Sequence, residues 1–281
     1  MRPSPLITEL TLGVLARAAR LYPVEIHAFC FLSNHFHLLV TVASAARLAA
    51  FMNYLNSNLA RELGRVVDWR ERFWGRRYQA VLVDHDEAAQ LDRLVYLLRQ
   101  GTKEGLVRSP REWPGAHSTQ ALLSGSPICG RWFDRSLAHR SRRRRVPLED
   151  SRLWTTEGFE LSPLPAWRGR PARDCRRIVE GLVRAIEDEV SAHCETTGVR
   201  PLGAERICRQ HPHQKPSRLR RTRVPLVHAS SKESRILWST RYRTFAEAFW
   251  NSARRLRAGL TPVTFPEGCF PPALPFVANP A

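Results

Sequence analysis

A chain of 281 residues with 43% apolar content has room for one large or two modest domains with a real core, and its formal net charge is +18. No apolar run is long enough to span a bilayer, and six cysteines without a CxxC pair exclude a zinc ribbon. The cysteines read as reduced thiols of a cytoplasmic protein. The charge points to a polyanionic partner such as nucleic acid. Lys stands only at 103, 215 and 232, so nearly every cation is an arginine, the side chain that binds phosphate bidentately and stacks on bases. The bland alternative is a generally basic proteome or a basic tail.

The elements follow in chain order. "LITELTLGVLARAARLYP", 6–23, reads as a helix stopped by Pro23. "VEIHAFCFL", 24–32, and "HFHLLVTV", 35–42, read as two strands around an "SN" turn, a hairpin. A helix follows with Leu48, Phe51, Met52, Leu55, Leu59 and Leu63 on one stripe. After the loop "DWRERFWG" comes a strand at 76–83, and "DHDE", 84–87, opens a helix expected to reach 104. "SPREWPG" closes this unit near 115. Residues 1–120 therefore read as an α+β unit with an antiparallel sheet. Residues 125–175 look loop-heavy, 174–194 form an amphipathic helix, 211–225 a basic linker and 242–259 a further helix, with extended structure in "FPEGCFPPALPF". The charge divides unevenly: +4 over 1–120 and +14 over 121–281, densest at "RSRRRR", 140–145.

Two features carry chemistry. In a strand, residues two apart share a face, so His35 and His37 project side by side while Phe36 points to the core. Paired neutral imidazoles suit a divalent metal; a pair of half-exposed strand histidines is the plainer reading. On the 87–104 helix, Leu91, Leu94, Val95 and Leu98 form the apolar stripe. Tyr96 and Gln100 lie on the opposite face, four residues apart and adjacent, with Arg93 and Lys103 beside them. This is either a surface tyrosine covering a neighbour or a phenolic nucleophile beside a carboxamide ligand, with cations for phosphate. A hydrolytic metallo-nuclease would need a base, for which Asp84, His85 and Asp86 are the nearby candidates.

"HAFCFLSNHFHLLV", then "FWGRRYQAVLVDHDE", "YLLRQGTKEGLV" and "REWPGAHS", in this order and spacing, resembles the HUH-type single-tyrosine transposases, most of all the REP-associated branch with its IS200-like domain. The resemblance covers about residues 6–120. It implies a ferredoxin-like antiparallel sheet with helices on one side, Tyr96 as nucleophile, and His35, His37 and Gln100 as ligands of Mg²⁺ or Mn²⁺. It implies cleavage and rejoining of single-stranded DNA, at hairpin-forming repeats, through a covalent 5′-phosphotyrosine. Arg76, Arg77, Arg93, Lys103, Arg142, Arg143, Arg144 and Arg145 are then the expected DNA contacts. Many relatives have Asn-Pro where this chain has Gln100-Gly101. The family's first strand has no counterpart before the first helix, so an N-terminally truncated catalytic domain is expected over 1–120, with a basic, mainly helical or irregular DNA-binding region over 121–281. An inactive truncated or domesticated transposase that only binds nucleic acid is the alternative. No membrane is called for, the location implied is the cytoplasm at the nucleoid, and a homodimer is compatible with the pattern.

Overall fold

The computed structural model describes residues 2–146, 148–211 and 225–272. Helix α1, Pro5–Leu21, starts where Ser4 accepts a hydrogen bond from the Ile7 amide (3.3 Å) and Pro5 presets the first turn. It ends just before Pro23. Strands β1, Glu25–Phe31, and β2, Phe36–Thr41, pair antiparallel with His37 opposite Cys30. Helix α2, Ala45–Val66, is capped by Ser44 in the same way as α1.

Strand β1 is buried at every position but its first, and both its faces are covered. Ile26, Phe29 and Phe31 pack with α1 and α2. Ala28, Cys30 and Leu32 pack on the opposite side with Leu94, Leu97 and Leu98 of helix α3, Glu87–Leu98. The α+β class thus stands, but helices lie on both faces of the hairpin, where the resemblance implied one. A strand without a polar face must be buried twice. On its outer edge β1 is met by residues 116–118, through Phe31 N–H to Ala116 O and Ser118 N–H to Phe29 O. Beyond β2 no strand pairs among the described residues.

The strand expected at 76–83 forms only at β3, Leu82–Val83. Helix α4, Thr119–Ser124, leads into the stretch expected to be loop-heavy, which instead holds a hairpin. Strand β4, Ile128–Phe133, pairs antiparallel with β5, Trp154–Phe159, around the short helices α5, Arg135–Arg144, and α6, Asp150–Leu153. This hairpin packs on α1 at glycine against glycine: a Cβ on Gly130 would sit 2.1 Å from the Gly13 nitrogen. Ile128 and Trp132 join the core of α1 and α2. Glu157 on β5, 7% exposed, accepts from Arg17 (2.6 Å) and Arg20 (2.9 Å) of α1. Glu62 of α2 is likewise held by Arg135 (2.7 Å).

Helix α7, Ala172–Thr197, spans the amphipathic stretch and places Val179, Val183 and Ile186 in the second core. Both cores therefore run past residue 120. Helix α8, Ala204–Arg209, follows. Most of the expected linker, 212–224, lies outside the described residues, as does 273–281. Strand β6, Val227–His228, pairs parallel with β3. Helix α9, Lys232–Arg257, begins ten residues before the expected helix, with Ser231 as its cap. All six cysteines are free thiols. No described helix is long and apolar enough to cross a membrane.

Candidate active site

His37 lies on β2, and His35 in the turn just before it. Their rings stand 4.9 Å apart, centroid to centroid, as the two-residue period requires. Phe36 between them turns away and stacks on Phe31 at 5.0 Å. The Asn34 amide oxygen accepts from His35 Nδ1 (2.6 Å), which leaves Nε2 as the lone-pair nitrogen. His37 Nε2 is buried without a hydrogen-bond partner among the described residues. Burial, reinforced by His35, Lys103 and Arg93, pulls the His37 pKa down to about 4. Burial also lowers His35, opposed by the Glu104 carboxylate. Both imidazoles are therefore held in the neutral, metal-binding form.

Tyr96 reaches this pair from the last full turn of α3. Its ring lies 5.4 Å from that of His37, nearly perpendicular, and it stays 37% exposed. The Arg93 guanidinium stands 4.8 Å and the Lys103 ammonium 4.2 Å from the ring centroid. Histidine pair, tyrosine and two cations are thus one cluster.

Gln100 needs a correction. The helix ends at Leu98 rather than 104, because the chain turns at Gly101 with φ 90°, a conformation that favours glycine. Gln100 is consequently not on the exposed face beside Tyr96. It is 1% exposed, and its Nε2 donates to the Tyr96 carbonyl (2.8 Å). Any ligand role falls to its Oε1. Among the described residues no group of three His, Cys, Asp or Glu is arranged to hold a metal. An ion would have to be held by two imidazoles, a carboxamide oxygen and water. The orphaned His37 Nε2 and the fixed His35 tautomer fit that role, and mixed nitrogen and oxygen donors suit Mg²⁺ or Mn²⁺.

The cluster opens into a groove of about 2450 Å³ along β2, which Arg76 and Arg77 also line. Arg142, Arg143, Arg144 and Arg145 do not line it; they end α5. Asp84 is engaged elsewhere, accepting from Trp238 Nε1 (3.0 Å) and the His85 amide (2.9 Å), bonds that lower its pKa. Asp86 caps α3, accepting from the Ala89 amide at 2.7 Å. Neither is placed as a hydrolytic base. Two residues escaped the sequence reading. Asn34 sits inside the "SNH" turn and was legible as a partner for its neighbour. Glu104, which accepts from the Gly101 amide (2.7 Å), joins only because the helix stops early.

The fold is α+β, and it brings His35, His37 and Tyr96 into one cluster. Residues 6–96 match the family model described as "Transposase IS200 like", so this part of the chain is similar to that family's domain. The match takes in His35 and His37 and ends on Tyr96; Gln100 and Lys103 lie beyond it. No curated protein and no solved structure matches the chain.

Proposed function

We propose that the protein is a metal-dependent strand transferase for single-stranded DNA, acting at hairpin-forming repeats, with Tyr96 as the nucleophile. The observation that carries this is the half-exposed Tyr96 ring packed against His37 between Arg93 and Lys103. His35, His37 and Gln100 are the residues to hold Mg²⁺ or Mn²⁺. A bound ion supplies polarisation of the scissile phosphodiester and stabilises charge in the transition state.

The chain's own residues do the rest. The Tyr96 oxygen gives up its proton to water and attacks phosphorus as the P–O3′ bond breaks. The electron pair leaves with the 3′ oxygen, which takes a proton to become a free 3′-OH. Arg93 and Lys103, which flank the Tyr96 ring, neutralise the phosphate. The 5′-phosphotyrosine conserves the phosphoester, so attack by a 3′-OH reverses the step without ATP.

The test is a labelled hairpin single strand incubated with full-length protein and Mn²⁺, then denatured. A protein–DNA adduct that vanishes with Tyr96→Phe and with chelation is expected. An equal adduct from Tyr96→Phe refutes the nucleophile. A second reading, a nucleic-acid-binding module without strand transfer, draws on the outer edge of β2, which no strand pairs among the described residues; tight DNA binding with no adduct would establish it.

A further inference from the structure

The C-terminal helix α9 supplies one wall of the groove that Tyr96 opens into. Trp238, Arg241, Tyr242 and Phe245 all line that groove. They recur at i, i+3, i+4 and i+7, a single stripe of the helix. An aromatic stripe at this spacing is ordinarily a core face. Among the described residues it is the Trp238 end that is pinned. Trp238 Nε1 donates to Asp84, its ring lies 6.2 Å from that of His85, and the Arg241 guanidinium covers it at 5.0 Å. The root of the helix is tied to α3 as well: β6 pairs with β3, and His228 stands 3.6 Å from Asp92, next to Arg93. Further along the stripe the packing among the described residues loosens. Tyr242 is 48% and Phe245 37% exposed, though both face the groove. Anchored at one end, the stripe presents half-exposed aromatic rings to the groove that Tyr96 also lines.

The electrostatics decide what such a wall suits. Six arginines line the groove and Asp84 is the one carboxylate among its described lining residues. That carboxylate is already occupied by Trp238 and the His85 amide. A cationic trough with half-exposed aromatic rings on its wall combines backbone neutralisation with base stacking, the two terms by which single strands are held without sequence readout. An apolar strand adding to the edge of β2 would need none of the arginines.

We propose that the Arg241–Tyr242–Phe245 face of α9 is a stacking clamp that holds single-stranded DNA in the groove leading to Tyr96. The clamp rests on the strand-transfer reading for its substrate, but it is tested through binding alone. The assay uses the full chain carrying Tyr96→Phe and measures fluorescence anisotropy of a short unstructured labelled single strand, without metal. Replacing Arg241, Tyr242 and Phe245 together by Ala should weaken binding by about tenfold or more. Arg243→Ala, which removes the same charge from the same helix outside the groove, should leave affinity nearly unchanged. Equal losses from the two variants overturn the clamp, as does unchanged binding by the triple variant.

Should the triple variant melt early, photocross-linking decides in the parent protein. With a halogenated-uracil single strand, cross-links within residues 238–245 uphold the proposal. Cross-links confined to other segments refute it, and so does displacement of the DNA by an apolar extended peptide that itself binds the groove more tightly. The two readings separate cleanly. Clamp-dependent binding by a wild-type protein that forms no adduct sinks strand transfer alone, and an adduct with clamp-independent binding sinks the clamp alone.

Discussion

Gly130→Ala should be among the most damaging single-methyl changes in this protein. The added Cβ would lie 2.1 Å from Gly13 N, 2.5 Å from Glu9 O and 2.6 Å from the Leu12 carbonyl carbon. Every one of these atoms is α1 backbone, so no side chain can swing aside. The β4–β5 hairpin and α1 must separate by about 1 Å or more, in an interior packed like an organic crystal. Overpacking of this kind costs about 1–3 kcal/mol, and rigid neighbours put it at the upper end. For a protein of this size, about 3 kcal/mol lowers Tm by about 6–12 °C. The matched comparison is Gly181→Ala on the exposed face of α7, where a Cβ meets nothing within 4 Å. There alanine's better helix propensity should stabilise by about 0.5–1 kcal/mol. Scanning calorimetry of the two variants beside the wild type is the assay. A Gly130→Ala melt within about 1 °C of wild type, or equal losses from both variants, would refute the claim that residues beyond 120 share the core of α1.

The Glu157 carboxylate is held below its usual range, chiefly by its bond from Arg20, then by Arg17. Its contribution to stability is therefore complete above the ordinary carboxylate value and fades as pH falls through the lowered one. Glu157→Gln should destabilise by about 2–3 kcal/mol at pH 7, discounted because Arg20 is mostly exposed; denaturant melts in which the gap widens rather than narrows in acid would count against it. His37, whose pKa is lowered to about 4, takes up its proton more readily unfolded than folded. The native state should lose stability as pH drops from about 6.5 toward 4, and His37→Phe should flatten that slope. Mn²⁺ should raise the melting temperature of the full chain still at pH 6, and His37→Ala should abolish the rise. A metal shift unaffected by that substitution would place the ion elsewhere.

What the sequence alone determined were the features with a short-range cause. The shared face of His35 and His37 follows from the two-residue strand period, and the outward Tyr96 from the helical one. Ser4 and Pro5 start α1, and Ser44 starts α2, by local capping chemistry. Asp86 does the same for α3. Contacts between distant segments were decided only by the tertiary structure. The run 76–83 has strand composition, but only Leu82 and Val83 find a ladder partner, in Val227 and His228 far along the chain. Strand β4 alternates inward Ile128, Gly130 and Trp132 with outward Cys129 and Arg131, yet its central glycine weakens the local signal. That glycine makes sense only against Gly13. Gln100 was placed on the wrong face because periodicity cannot see where a helix stops; Gly101 and the turn after it withdrew the side chain inward. The sequence reading places a helix only from 242, so Trp238 and Arg241 of the α9 stripe fall outside it. Its meaning comes from its placement against the groove, because a lone helix carries its own period but not the surface it will face.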